Sequence, residues 1–248
     1  MTVKISVITI SFNSGKEIAR TIESVLKQEY LPMEYWIIDG ASRDDTVAIA
    51  QSYEEAFREK GVSYKIISEP DEGIYDAMNK GIQMAGGEVV GLINSGDEYV
   101  PQTLEIVRRT FRETDCELMF GDIQICTEKG KVFIKVARQR KLYQTSRDWN
   151  HPTMFVKSGL CKQYPYQNKG IHDDYAFYLK MRKQKRRIVV VDQVLARFRL
   201  GGASNQKSWK AVKKRIHDRY NYCYRENGYS RWYLLECFMI EAAKWMLG

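Results

Sequence analysis

The stretch KISVITISFNSGKEIARTIESVLKQ, residues 4–28, decides the fold. Its first eight residues are mostly apolar and β-branched, the composition of a buried strand. After the polar SFNSG, residues 11–15, the pattern changes period. Ile18, Ile22, Val25 and Leu26 then fall on one face of a helix. The stretch therefore predicts a strand feeding an amphipathic helix through a short polar loop.

The same alternation recurs downstream. EYWIIDG (34–40) repeats the strand signal, and SRDDTVAIAQSYEEAFREKG (42–61) predicts a helix opened by Ser42 or Asp44 and stopped by Gly61. VSYKIIS (62–68) is a third strand, IYDAMNKGIQMA (74–85) a helix and EVVGLIN (88–94) a fourth strand. Pro101 suits a first helical turn, ahead of QTLEIVRRTFRE (102–113). Strands alternating with helices predict an α/β fold, a mainly parallel sheet flanked by helices. Such sheets bind ligands beyond the carboxyl ends of their strands. Three of those ends are polar here: SFNSG, DGASRDD (39–45) and NSGDE (94–98). The dinucleotide fingerprint and the Walker lysine loop are both missing from them.

Beyond about residue 115 the pattern shifts to two strands around a Lys129–Gly130 turn. A helix over DDYAFYLKMRKQ (173–184), a strand over RIVVVDQVLARFRL (187–200) and a GGASN loop follow. Without repeats or low-complexity linkers, one domain is expected over residues 1–205, with halves 1–115 and 116–205. Residues 206–248 form a helical tail. Trp209, Val212, Ile216, Tyr220 and Cys223 recur there at helical spacing, with Lys207, Lys210, Lys213, Lys214 and Arg215 mostly off that stripe. The segment SRWYLLECFMIEAAKWMLG (230–248) is more apolar, but Glu236, Glu241 and Lys244 interrupt it. Each would cost roughly 2.5–3.5 kcal/mol near a bilayer centre, so a transmembrane span is not expected. The tail either packs as a helical pair or meets a membrane interface.

The chain has 248 residues, is 44% hydrophobic and carries a formal charge of +8. It can bury a large core, which excludes disorder, and it favours anionic partners such as nucleotides, nucleic acid or an anionic membrane. Five scattered cysteines without a Cys-x-x-Cys pair indicate neither a disulfide framework nor a zinc site and point to a reducing cytosol. MTVKISVITISFN has no leader-type cleavage pattern and reads as a strand.

The candidate chemistry lies at the strand ends. Asp39 can accept a hydrogen bond from a base ring N–H, or serve as a loop or cap aspartate. Asp97 can give its carboxylate to Mg²⁺ or Mn²⁺ together with a nucleotide diphosphate, or be a turn residue before the next helix. In HDDY (172–175), one of Asp173 and Asp174 can cap a helix and the other act as general base, capping alone being the plainer reading. His151, in NHPTMF, can orient a substrate or close a turn. The run KMRKQKRR (180–187) reads as a solvated face, and no nucleic-acid module is evident.

Together these motifs resemble the family 2 glycosyltransferases of the GT-A fold, particularly the bacterial surface-polysaccharide branch. The resemblance is carried by residues 6–30, WIIDGASRDDT (36–46), residues 68–99, HPTMF (151–155), HDDY and FRLGGASN (198–205). It implies an inverting, metal-assisted displacement from a nucleotide-diphospho-sugar, by default a UDP-sugar, in a nucleotide-diphospho-sugar transferase fold. Ser11, Phe12 and Asn13 would line the nucleotide pocket and Asp39 would hold the base. Glu69, Asp71, Asn79, Asn94 and Ser95 would shape the donor site. Asp97 would contact Mn²⁺ or Mg²⁺, Asp174 would be the general base with Asp173 on its shoulder, and His151 and His172 would face the acceptor. Asn94 and Gly96 stand where many relatives carry aspartate, leaving Asp97 as the main charged ligand. The implied acceptor is a saccharide, polyprenyl-diphosphate-linked in this branch, reached by a cytoplasmic enzyme peripheral to the inner membrane face through residues 206–248. The alternatives are a non-catalytic nucleotide-binding or scaffold subunit of a polysaccharide assembly complex, a nucleotidyltransferase and a nucleic-acid-binding module.

Overall fold

The structure, a computed structural model, describes residues 2–127, 130–199 and 208–247. The chain runs β1 (Ile5–Ser11), α1 (Ile18–Leu26), β2 (Glu34–Asp39), α2 (Thr46–Gln51), α3 (Glu54–Glu59), β3 (Ser63–Ser68), α4 (Ile74–Met84), β4 (Val89–Asn94), β5 (Glu98–Tyr99) and α5 (Thr103–Thr114). It continues through β6 (Leu118–Cys126), β7 (Val132–Lys135), β8 (Phe155–Lys157), α6 (Ser158–Gln163), α7 (Asp173–Lys183), β9 (Ile188–Arg199), α8 (Trp209–Asp218), a π-helix (Arg219–Arg225) and α9 (Tyr233–Leu247).

Two compact units emerge, Met1–Pro165 with Arg187–Leu200, and Tyr166–Arg186 with Gly201–Gly248. The expected boundary at 205/206 keeps α7 with the sheet, whereas this division groups it with the tail.

In the first unit the strands order as β3-β2-β1-β4-β8-β6-β9-β5, with β7 paired to β6. The block β3-β2-β1-β4 is parallel throughout. β8 then enters antiparallel to both β4 and β6, while β6 and β9 run parallel. Every residue of β1 and β2 is buried, as strands covered on both faces must be. Val7 and Ile37 pack with Ile18, Ile22 and Val25 of α1 and Leu104 of α5. On the other face α4 approaches so closely that a Cβ at Gly81 would stand 2.6 Å from the Ile8 side chain. Only glycine fits that crossing.

Two expectations need correction. The helix expected over 42–61 is two short helices, parted at Ser52 and Tyr53, where the Ser52 hydroxyl donates to the Ile49 carbonyl (2.7 Å) and competes with the helical ladder. Asp44, not Ser42, receives the Thr46 N–H at its start (3.1 Å). α5 begins at Thr103, two residues after Pro101, which lies in the preceding turn. The hairpin of β6 and β7 forms as expected, with Cys126 opposite Val132. Lys129 of its turn lies outside the described residues, as do Lys207 and residues 200–205 of the FRLGGASN motif.

In the second unit the tail follows the expected pattern at Val212 and Cys223, which are buried, and at Lys210, Lys213 and Lys214, which are exposed, and departs from it at two positions. Trp209, placed on the apolar stripe of α8, is exposed, while Arg215, placed off it, is buried. Arg215 donates to Glu241 of α9 through Nε (2.9 Å) and Nη2 (2.6 Å), and Arg219 Nη1 lies 3.5 Å from the same carboxylate. The Tyr224 hydroxyl donates to Glu236 (2.8 Å) and stands 3.2 Å from the Tyr175 hydroxyl. The two glutamates that interrupt the apolar segment are thus its inward-facing anchors. Among the described residues no helix is long and apolar enough to cross a membrane.

Candidate active site

The register of the parallel block sets Ser11 opposite Asp39, Asp39 opposite Ser68, and Ile10 opposite Asn94. The polar strand ends therefore form one row along the carboxyl edge of the sheet. Asp39 is its hub. At 1% exposure, its Oδ1 accepts the hydroxyls of Ser11 (2.9 Å) and Ser42 (2.5 Å). Its Oδ2 accepts the Ser42 N–H and the Ser68 hydroxyl, both at 2.8 Å. A carboxylate has about four acceptor sites, and all are engaged. Ser68 is the exposed one of these partners, so the Oδ2 side is the one nearer solvent.

The same contacts lock the loops after β1 and β2 together. Asn13 N–H donates to Ser42 Oγ (2.7 Å), and Arg43 N–H donates to Asn13 Oδ1 (2.9 Å). Asn13 (φ 47°) and Ala41 (φ 58°) are both left-handed. Non-glycine residues rarely adopt this conformation, and such strain concentrates at functional sites. Phe12 is exposed beside Gly40, where an added Cβ would meet Phe12 Cδ2 at 3.4 Å and the Asp71 carboxylate still closer. Asp71 Oδ1 receives the Gly73 N–H (2.9 Å). Glu69 donates its own N–H to the Asp39 carbonyl (3.0 Å) and pairs with Lys80 (3.0 Å). Asn79 sits half-buried on α4, one residue before Lys80.

At the end of β4, the turn 94–97 is held by α1. The Thr21 hydroxyl donates to the Asp97 carbonyl (2.7 Å) and receives the Gly96 N–H (2.9 Å). Gly96 has φ 99°, a conformation that favours glycine. Asp97 is 5% exposed, and burial pushes its carboxyl up to about 8, with the Glu98 charge adding and the Arg199 N–H opposing. Asn94 Oδ1 and Ser95 Oγ are buried with no hydrogen-bond partner among the described residues. Among the described residues no three His, Cys, Asp or Glu side chains gather as a metal cage. One ionisable carboxylate and two unpartnered neutral oxygens on a single turn nevertheless fit a hard cation that takes its remaining oxygens from a ligand and water. Beside the turn, Glu98 faces Arg199 (3.2 Å), Arg20 and Arg197 (both 3.9 Å). Three guanidiniums around one carboxylate leave a positive excess there.

His151 opens a 3₁₀ turn after β7, its ring 5.9 Å from that of Trp149. The turn is tied to the sheet by Thr153 and Asn150, which both donate to the Gly121 carbonyl (2.9 Å).

His172, Asp173 and Asp174 belong to the second unit. Asp173 is buried, and its carboxylate receives the N–H groups of Lys169 (2.9 Å) and Gly170 (3.2 Å), so it closes the preceding loop. Burial raises its pKa. Asp174, half-buried, accepts the Tyr175 N–H (2.7 Å). His172 Nε2 lies 3.0 Å from Arg219 Nη2. A guanidinium only donates, so that ring nitrogen accepts.

Thr21, Ser42 and Ser68 escaped the sequence reading. Thr21 carried a signal, a polar residue within the apolar face of α1. Ser42 reads in sequence as one of two candidate helix openers, and Ser68 meets Asp39 only through the register of β2 and β3.

The family model described as glycosyl transferase family 2 matches residues 6–170. An uncharacterized glycosyltransferase of Mycobacterium tuberculosis is 44% identical over 96 residues, 38% of this chain and 34% of that protein. The chain thus spans about a third of that relative. The putative teichuronic acid biosynthesis glycosyltransferase TuaG of Bacillus subtilis is 27% identical over 216 residues, 85% of this chain and 84% of TuaG. Among solved structures, S. aureus TarS in complex with UDP-GlcNAc superposes with TM-score 0.62 at 20% identity, covering 88% of this chain and 67% of that one. The mannosyltransferase PcManGT from Pyrobaculum calidifontis, in complex with GDP-Man and Mn²⁺, gives TM-score 0.63 at 16% identity, covering 87% and 61%. These likenesses show the GT-A transferase fold.

Proposed function

This chain belongs to glycosyl transferase family 2, and on that premise we propose that it inverts the anomeric carbon of a nucleotide-diphospho-sugar while moving the sugar to a hydroxyl of a saccharide acceptor. The observation that carries the proposal is the row at the carboxyl edge of the parallel block. It sets a buried, base-accepting carboxylate (Asp39) at the end of β2, one strand from the β1 end, with an oxygen-rich turn ending in Asp97 two strands away after β4.

In this reading the base N–H takes the place of the Ser68 hydroxyl on Asp39, Phe12 covers the base, and Glu69, Asp71 and Asn79 shape the donor end. Asp97, Asn94 and Ser95 would hold Mg²⁺ or Mn²⁺, which neutralises charge on the departing nucleoside diphosphate. Asp174 takes the proton from the attacking hydroxyl, since an alcohol is a poor nucleophile until that proton is removed. Asp173, engaged by two backbone N–H groups, orders the segment that carries Asp174. His151 and His172 serve the acceptor side.

The teichuronic acid biosynthesis named for TuaG supports a saccharide acceptor; in this reading that acceptor is lipid-linked and the enzyme cytoplasmic and peripheral to the membrane. UDP-sugars are the default donors, and TarS in complex with UDP-GlcNAc supports them.

Calorimetric titration with UDP, GDP, dTDP and CDP, each with and without Mn²⁺, tests the proposal. Metal-enhanced binding of one nucleotide, weakened by Asp97→Ala, is the expected result. Absence of binding by all four would remove the transferase reading in favour of a scaffold subunit.

A further inference from the structure

Helix α9 buries both of its glutamates and leaves a second apolar face outside. Tyr233, Glu236, Cys237, Ile240 and Glu241, spaced as one helical face, are buried. The opposite face, with Trp232 immediately before the helix, exposes Trp232 (72%), Leu235 (54%), Phe238 (53%) and Met239 (61%). The inward glutamates engage Arg215, Arg219 and Tyr224, so the helix cannot turn its apolar face inward without breaking those contacts. A contiguous apolar stripe of this kind marks an interaction surface.

The charge around it names the occupant. By sequence the second unit holds fifteen lysines and arginines against six aspartates and glutamates, a net +9, whereas the first holds 24 against 25. The acidic side chains are withdrawn: Asp173, Asp218, Glu236 and Glu241 are buried, Asp174 is half-buried and Glu226 pairs with Lys169 (3.0 Å). Lys210, Lys213, Arg225 and Arg231 remain exposed. A basic surface displaying Trp, Leu, Phe and Met on one helix is the composition of an interfacial anchor.

We propose that the outward face of α9 docks the protein on an anionic lipid surface, its apolar side chains entering the headgroup boundary and the exposed basic side chains of the same unit attracted to lipid phosphates. This deepens the membrane-peripheral part of the reading above and holds whatever the reaction.

The test is sedimentation of the full chain with phosphatidylcholine vesicles and with vesicles containing a third phosphatidylglycerol. Wild type is expected to bind the anionic vesicles, less so as salt rises. The exposed triple replacement Leu235→Ser, Phe238→Ser, Met239→Ser should weaken binding at least tenfold, and Lys210→Gln with Lys213→Gln about fivefold per residue at low salt. Circular dichroism and nucleotide affinity should stay unchanged in both variants. No binding to anionic vesicles, or binding that the triple replacement leaves intact, overturns the proposal. So does a lipid-free dimer, seen by sedimentation velocity, that the triple replacement abolishes. Lost vesicle binding in wild type with nucleotide binding intact refutes docking alone, and the converse refutes only the transferase reading.

Discussion

Replacing Asp39 by asparagine and by alanine separates its structural role from the role toward a nucleobase proposed for it. Alanine strands four donors. The hydroxyls of Ser42 and Ser68 can reach water, but the Ser11 hydroxyl is buried and the Ser42 N–H points inward at the lost carboxylate. Two unsatisfied groups at about 1–3 kcal/mol each predict a loss of about 2–6 kcal/mol. Asparagine can aim its one oxygen at the Ser42 N–H and its amide at the Ser11 and Ser42 hydroxyls, which rotate to accept. Its cost is the charge assistance alone, about 1–2 kcal/mol. For a base N–H the two variants are alike, because the asparagine oxygen is already committed. Losing a hydrogen bond to a charged acceptor, about 1.5–3 kcal/mol, predicts UDP or GDP binding weaker by roughly 10–100-fold in both. Urea denaturation and calorimetry on the same preparations read the two quantities. Wild-type nucleotide affinity in Asp39→Asn, or undiminished stability in Asp39→Ala, would refute the reasoning.

Four further outcomes are expected. In chelator-treated protein, Asp97 binds its proton up to about pH 8 when folded and only to about 3.8 when unfolded, so its contribution to stability is present at low pH and declines as pH rises through that window; Asp97→Asn should flatten this fall in urea midpoints measured from pH 5 to 8. Gly96→Ala meets no crowding, the nearest atom being Glu17 Cβ at 3.8 Å, so a backbone penalty of about 1–2 kcal/mol at φ 99° should appear as weaker metal-dependent nucleotide binding in calorimetry. Glu241→Ala leaves Arg215 and Arg219 buried without their carboxylate, and a loss of about 3–5 kcal/mol should open residues 208–247 to limited proteolysis. Asp174→Asn should lower turnover about 10²–10⁴-fold with nucleotide affinity retained; equal loss of both, or an unfolded protein by circular dichroism, would assign it to structure.

Periodicity is a local property, and the chain displays it openly. Ile18, Ile22 and Val25 at helical spacing, the β-branched runs of β1, β2 and β4, and the polar residues at their ends carried the α/β class and the polar edge on which the proposed site lies. Asp39 and Asp97 were legible because a carboxylate closing an apolar strand stands out by type and place. Partners are a different matter. That Ser68 completes the set on Asp39, and that Thr21 holds the turn at Gly96 and Asp97, depends on strand register and helix placement across 29 to 76 positions, which no local pattern encodes. The tail shows the limit most sharply. Glu236 and Glu241 interrupt the apolar run of α9 in sequence, yet two buried arginines and a tyrosine hydroxyl draw them inward beside Tyr233, Cys237 and Ile240, because a buried guanidinium without a carboxylate costs more than an exposed leucine. Sequence alone determined which elements form and where the ionisable groups enter them. Tertiary packing decided which of those groups are satisfied within the chain, and which surface is left for something else to cover.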